Sequence, residues 1–193
     1  MTGFAGTHSD LIRRALAFAA RKHTSPRKGT DVPYIIHPAH VAIILARHGY
    51  DDHVLAAAIL HDVLEDTDTT PDELRGVFGE RVFHLVIEVS EPTFGLPKSD
   101  TWEQRKWAKL EQLRKATPEA LAICAADRLH NVSDTLHDIA VHGAVVWQRF
   151  RRRPEKCLEF EQAVLDILLE RFPHPLTDEY AAALEKLQKA PRL

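Results

Sequence analysis

Residues 57–67 read Ala57-Ala58-Ile59-Leu60-His61-Asp62-Val63-Leu64-Glu65-Asp66-Thr67, and this stretch decides how the chain folds. Apolar residues run without a break from Val54 to Leu60, which in a helix implies burial on most sides rather than on one stripe. Asp51 or Asp52 is placed to start that helix. An imidazole and a carboxylate side by side at the end of a buried run are half of a metal site, provided that the chain completes it elsewhere.

Working outward, every segment with periodicity reads as helix, and none reads as a convincing strand. Ser9 and Asp10 can cap a helix to about His23, with Leu11, Ile12, Ala15, Leu16, Phe18 and Ala19 on its apolar side. A turn-rich basic loop, Thr24 to Val32, follows. Pro38 suits the first turn of a second helix that stops at Gly49. Thr70-Pro71-Asp72-Glu73 has the form of a capping box, opening a short helix that ends near Gly79, with another running through Val89. Residues 91–100, with Pro92, Gly95 and Pro97, read as an irregular loop, and residues 100–115 as a charged helix. Thr117-Pro118-Glu119 opens the helix that buries Leu121, Ile123 and Ala125 and delivers Asp127. Pro154 begins a long helix to Phe172, and Thr177-Asp178-Glu179 is expected to cap a last one. The expected fold is all-α: residues 1–8 a loose tail, and residues 9–190 a single helical bundle of about eight to ten helices.

Bulk properties agree. The chain has 193 residues, 45% hydrophobic and 27% charged, enough to bury a core without disulfides. A net charge of −3 gives no support for nucleic acid as a partner, so any basic patch must be local. Cys124 and Cys157 lack CxxC spacing and read as plain thiols. Without a leader pattern or an apolar run of membrane-spanning length, a cytoplasmic location with no membrane partner is expected. Association into homo-oligomers is compatible with the sequence and not specified by it.

His37, in Pro33-Tyr34-Ile35-Ile36-His37-Pro38, and Asp127, in Ala125-Ala126-Asp127-Arg128-Leu129-His130-Asn131, are the natural completions of the His61-Asp62 pair. Two imidazoles and two carboxylates around a divalent cation leave positions for water and a phosphate oxygen. His61 lies 24 positions after His37, and Asp127 lies 65 after Asp62, so this is no zinc finger and three helices must converge. Each residue has a plainer reading. His37 before a proline can be a turn histidine, and His-Asp pairs arise by chance. Leu136-His137-Asp138 repeats the pair without the apolar run or the Glu-Asp, and reads as a solvated helix end. A lone buried Asp127 would be costly, which favours a partner. Glu65 lies one turn beyond His61; alone it is an acidic helix end, and beside a metal it could orient or deprotonate water, with Asp66 sharing the task.

Taken in order, Arg27-Lys28, Pro33-Tyr34-Ile35-Ile36-His37-Pro38, Leu60-His61-Asp62-Val63-Leu64-Glu65-Asp66-Thr67-Asp68-Thr69, Phe78-Gly79 and Ala126-Asp127-Arg128-Leu129-His130-Asn131 resemble the hydrolase domain of the RelA/SpoT alarmone enzymes. The likeness covers roughly residues 9–170 and is strongest to the small stand-alone alarmone hydrolases, an HD phosphohydrolase branch. It implies one Mn²⁺ held by His37, His61, Asp62 and Asp127. It also implies a guanosine nucleotide substrate with a 3′-pyrophosphate, and GDP or GTP plus pyrophosphate as products. Glu65 and Asp66 would manage the attacking water, Asn131 would contact the nucleotide or its pyrophosphate, and Arg27 and Lys28 would grip phosphates. Lys98 and Arg105 are further phosphate candidates from the residues themselves, whereas Arg151-Arg152-Arg153 reads as ordinary surface and Trp147 and Phe160 as core. One departure is Val89-Ser90-Glu91-Pro92, standing where the family commonly continues with threonine and a basic residue. No synthetase activity is expected of these residues. The competing readings are a related hydrolase of ppApp-like nucleotides or NADPH, and a non-catalytic metal-binding regulatory module.

Overall fold

The computed structural model describes residues 9–27, 29–92, 101–150 and 152–192. Among them the regular structure is helical, as expected, and no strand forms beyond an isolated bridge between Pro26 and Pro33. The chain packs as two compact units, Met1–Ile87 and Glu88–Leu193.

In the first unit, α1 (Asp10–Lys22) starts where Ser9 accepts a hydrogen bond from the Ile12 amide at 3.4 Å. Helix α2 (Ile36–Arg47) carries Pro38 in its first turn and ends before Gly49, whose φ of +79° supplies the left-handed residue that closes many helices. Helix α3 (Asp52–Leu60) is capped by Asp51, which accepts from the amides of His53 (2.9 Å) and Val54 (3.2 Å). Val54 and Ala56 to Leu60 are all buried, as the unbroken apolar run requires, and α3 packs on both α1 and α2. Ile59 and Leu60 each contribute about 1.5–3 kcal/mol by leaving water, while the three alanines let neighbouring backbones come close.

A single turn, α4 (Val63–Asp66), follows, and then α5 (Pro71–Val89), opened by Thr70 accepting from the Glu73 amide at 3.2 Å. Gly79 interrupts α5 with φ +80° and ψ 172°, so the two helices expected on either side of it are both present. Phe78, just before the break, meets Phe18 of α1 edge to face at 5.3 Å, and Lys22 bonds Asp68 (2.9 Å) and Glu73 (3.2 Å).

The second unit contains α6 (Trp102–Leu113), α7 (Pro118–His142), a 3₁₀ segment (Gly143–Arg149), α8 (Pro154–Arg171) and α9 (Pro175–Lys189). Thr117 caps α7, and its hydroxyl also donates to Glu88 at 2.8 Å. Helix α7 packs on α8 and α9, and α6 on α8. Trp147 is core, as expected, with its indole N–H on the Pro191 carbonyl at 3.0 Å. Cys124 is buried and Cys157 partly so, and the two form no disulfide with each other. The last helix begins earlier than its Thr-Asp-Glu signal suggested. Pro175 takes the first helical position and His174 Nδ1 accepts from the Leu176 amide at 3.1 Å, while the Thr177 hydroxyl turns to the Phe172 carbonyl at 2.7 Å. No helix among the described residues is long and apolar enough to cross a membrane.

The break in α5 makes two glycines three residues apart behave oppositely. Gly79→Ala should destabilise by about 1–3 kcal/mol, because its backbone region is almost closed to residues with a Cβ. Gly76→Ala, in open helical space, should stabilise by about 0.5–1 kcal/mol. Thermal unfolding of the two variants, with Tm moving down for one and up for the other, checks this.

Candidate metal centre

Three of the expected ligands meet within the first unit. His37, the second residue of α2, is 2% exposed, and His61, at the end of α3, is 5% exposed. Asp62 follows in a near-bridge conformation (φ −97°, ψ −5°) that separates α3 from α4. The helix therefore does not run on through His61 to Glu65. His61 Nδ1 sits 2.7 Å from the Ala58 carbonyl, the oxygen that would receive the Asp62 amide in a continued helix.

That bond also fixes the ring. A carbonyl only accepts, so Nδ1 carries the proton and the lone pair of the neutral ring lies on Nε2. His61 Nε2 points at Asp62 Oδ2, 3.0 Å away, and His37 Nε2 lies 3.7 Å from the same oxygen. The two rings meet edge to face at 5.2 Å. With the ring neutral, the lone pair of the buried His61 Nε2 faces an anionic oxygen, so two imidazole nitrogens and a carboxylate form a donor set that fits a divalent cation. Asp62 Oδ2 also accepts from the Tyr34 hydroxyl at 2.5 Å, and the same hydroxyl lies 3.3 Å from Asp66 Oδ2.

In the second unit, Asp127 projects from α7 after the buried pair Ala125-Ala126 and is itself 9% exposed. Asn131 Nδ2 donates to its Oδ1 at 2.6 Å, and Arg128 donates to its Oδ2 from Nη2 (2.5 Å) and Nε (3.1 Å). Arg128 Nη1 continues to Glu161 Oε1 of α8 at 3.2 Å, and the Tyr180 hydroxyl of α9 donates to Glu161 Oε2 at 2.7 Å. Burial alone would push Arg128 down, but the carboxylates of Asp127 and Glu161 outweigh it and hold the guanidinium well above its ordinary range. Burial, then Glu161, pushes the Tyr180 hydroxyl well up. A largely buried carboxylate is thus fixed in aim and charge by partners from three helices.

The remaining expected residues divide. Glu65 is half-buried in α4 and Asp66 is exposed. Arg27 is half-buried on a loop closed by its amide on the Val32 carbonyl at 2.9 Å. Lys28 and Lys98 lie outside the described residues. Arg105 is 8% exposed and forms an ion pair with Glu91, to which Lys106 also bonds at 2.7 Å while lying over the Phe160 ring. The second His-Asp pair was expected at a solvated helix end: His137 is exposed, but both residues lie within α7 and Asp138 is half-buried in an ion pair with Arg149. Sequence reasoning missed Tyr34, Arg128, Glu161 and Tyr180. Arg128 carried a usable signal, since a buried carboxylate wants a cation and one stands next to it.

An HD-domain family model matches residues 15–155. The chain belongs to the HD-domain family. It is 42% identical over 133 residues to the human guanosine-3′,5′-bis(diphosphate) 3′-pyrophosphohydrolase MESH1, covering 67% of this chain and 72% of that protein. A guanosine-3′,5′-bis(diphosphate) 3′-pyrophosphohydrolase from Aquifex aeolicus is 42% identical over 125 residues, which is 65% of this chain but only 18% of that much longer relative. A structure titled as a metazoan ortholog of SpoT that hydrolyzes ppGpp superposes with a TM-score of 0.78 at 30% identity, covering 94% of this chain and 98% of the other. A Listeria monocytogenes EGD-e structure superposes with a TM-score of 0.69 at 32% identity, covering 79% of this chain and 99% of its own. Within the HD-domain family, whose fold is that of metal-dependent phosphohydrolases, this chain is an enzyme similar to relatives named as pyrophosphohydrolases.

The network behind Asp127 has a pH signature. A hydroxyl whose folded pKa is raised contributes stability that is whole below the ordinary tyrosine value of about 10 and is lost as pH rises from there. Tyr180→Phe should cost about 1–3 kcal/mol at neutral pH, and the gap between wild type and variant should narrow above about pH 10. Denaturant unfolding of both proteins from pH 7 to 11 measures that gap.

Proposed function

We propose that this chain is a metal-dependent phosphohydrolase that removes the 3′-pyrophosphate of (p)ppGpp, giving GDP or GTP and pyrophosphate. The observation that carries this reading is the meeting of His37 Nε2 and His61 Nε2 on Asp62 Oδ2, in a chain that resembles named ppGpp hydrolases over most of its length. In this reading Asp127 is the fourth ligand and residues 9–190 act as one catalytic domain, since the family match runs through both units. A cytoplasmic location goes with this reading.

One Mn²⁺ per chain, when bound, supplies Lewis-acid charge at the phosphorus centre and makes water more acidic. The protein's side chains do the rest. His37 and His61 present neutral nitrogens, the latter with its tautomer set by Ala58. Glu65 takes a proton from the attacking water, and Asp66 holds that water in line. The water oxygen bonds to the phosphorus attached to the ribose 3′ oxygen, that P–O bond breaks, pyrophosphate leaves, and the ribose oxygen takes a proton to become the 3′-hydroxyl. Asn131, already on Asp127, reaches toward the nucleotide, and Arg27, Lys28 and Lys98 neutralise phosphate charge. Arg105 joins them only if phosphate competes with Glu91 for it.

Purified protein with Mn²⁺ should release pyrophosphate from ppGpp, resolved by ion-exchange chromatography, and leave NADPH and simple monophosphates intact. Turnover of ppApp or NADPH but not ppGpp would transfer the site to those substrates, and bound metal with no turnover would make it a regulatory module. Asp62→Ala should abolish metal binding and turnover together. Glu65→Ala should keep the metal and lose a factor of about 10²–10⁴ in kcat; metal titration beside steady-state kinetics separates the two.

A further inference from the structure

We infer that Tyr34 is a positioning residue, its single hydroxyl proton aiming the Asp62 carboxylate at the metal while keeping Asp66 beside it. This deepens the proposed function and rests on it. The hydroxyl lies between two carboxylates on different sides of the chain break, 2.5 Å from Asp62 Oδ2 and 3.3 Å from Asp66 Oδ2. A phenol has one proton to donate, so the shorter bond goes to Asp62 and Asp66 is held as the second acceptor. The oxygen it reaches is the one faced by both His37 and His61. The choice of Asp62 rotamer, and with it the assembly of the site, therefore depends on where the Tyr34 ring stands.

The ring is itself fixed. His23, at the C-terminal cap of α1, stacks on it face to face, with centroids 4.4 Å apart and planes 20° from parallel. Tyr34 also meets His37 edge to face at 5.9 Å. Burial lowers the His23 pKa against the pull of Asp62 and Asp66, so at neutral pH the ring packs as an uncharged plate and does not compete as a cation for those carboxylates. Tyr34 thus has one face on α1, an edge on α2 and its hydroxyl at the α3–α4 junction, tying three helices to one oxygen. Outer hydrogen bonds of this kind to metal ligands commonly govern affinity or rate by about 10–100-fold.

The test uses the full chain and Mn²⁺ alone, then Mn²⁺ with ppGpp. Tyr34→Phe keeps the ring and its stacking and removes only the hydroxyl. It should weaken Mn²⁺ affinity about 10–100-fold in a chelator competition. With saturating metal it should lower kcat by a similar factor while leaving KM and Tm near wild type. His23→Phe, which preserves the stack, should retain most of the affinity, whereas His23→Ala should lose part of it. Wild-type affinity and kcat in Tyr34→Phe would overturn the inference, as would a loss confined to KM or accompanied by an equal fall in Tm. If wild type binds Mn²⁺ but does not hydrolyse ppGpp, the substrate reading fails, while the affinity of Tyr34→Phe still decides the role of Tyr34. If wild type binds no divalent cation, both fail.

Discussion

One oxygen sets the terms for this fold. Asp62 Oδ2 has a phenol hydroxyl at 2.5 Å and imidazole nitrogens at 3.0 and 3.7 Å, brought together by the Tyr34–His37 segment and by the neighbouring His61. A carboxylate and two imidazoles brought this close in a buried place are unstable company without positive charge among them. The helices must be stiff enough to hold them there. That is the use of the apolar run ahead of His61: a buried α3 packed on α1 and α2 leaves its last residue little freedom.

The chain breaks where the chemistry begins. His61 takes the Ala58 carbonyl with its side chain, Asp62 adopts a near-bridge backbone, and α4 restarts at Val63 with Glu65 and Asp66 on it. His61 and Asp62 are chain neighbours whose side chains reach each other across this turn, with His61 Nε2 3.0 Å from Asp62 Oδ2. A second carboxylate, Asp127, is held by a different device, a hydrogen-bonded chain from Arg128 to Glu161 to the neutral Tyr180 hydroxyl. In both arrangements a carboxylate is aimed by what holds its other side.

Much of this was legible in the sequence because it rests on local rules. Ser9, Asp51, Thr70 and Thr117 each cap the helix they were expected to open, Gly79 splits α5, and the helices that carry His37, His61 and Asp127 were all expected. What escaped was not carried by the capping and periodicity signals. Glu65 was placed one turn along the same helix as His61, but α3 ends at Leu60 and α4 starts at Val63, with His61 Nδ1 on the Ala58 carbonyl between them. The start of α9 moved because Pro175 was a stronger signal than Thr177, whose hydroxyl found the Phe172 carbonyl. Arg105, read as a phosphate candidate, is buried in an ion pair with Glu91, the residue that departs from the family pattern. Tyr34 was visible only as part of a motif. Its role depends on distances to Asp62 and Asp66, 28 and 32 residues away, which no local pattern encodes.

The most direct measurement is an anomalous difference map from crystals grown with Mn²⁺, collected on both sides of the manganese absorption edge. A single strong peak within coordination distance of His37 Nε2, His61 Nε2, Asp62 and Asp127 is the expected result. A peak bound by other side chains, or full Mn²⁺ occupancy with Asp127 turned away from the ion, would contradict the proposal that these four residues make one site.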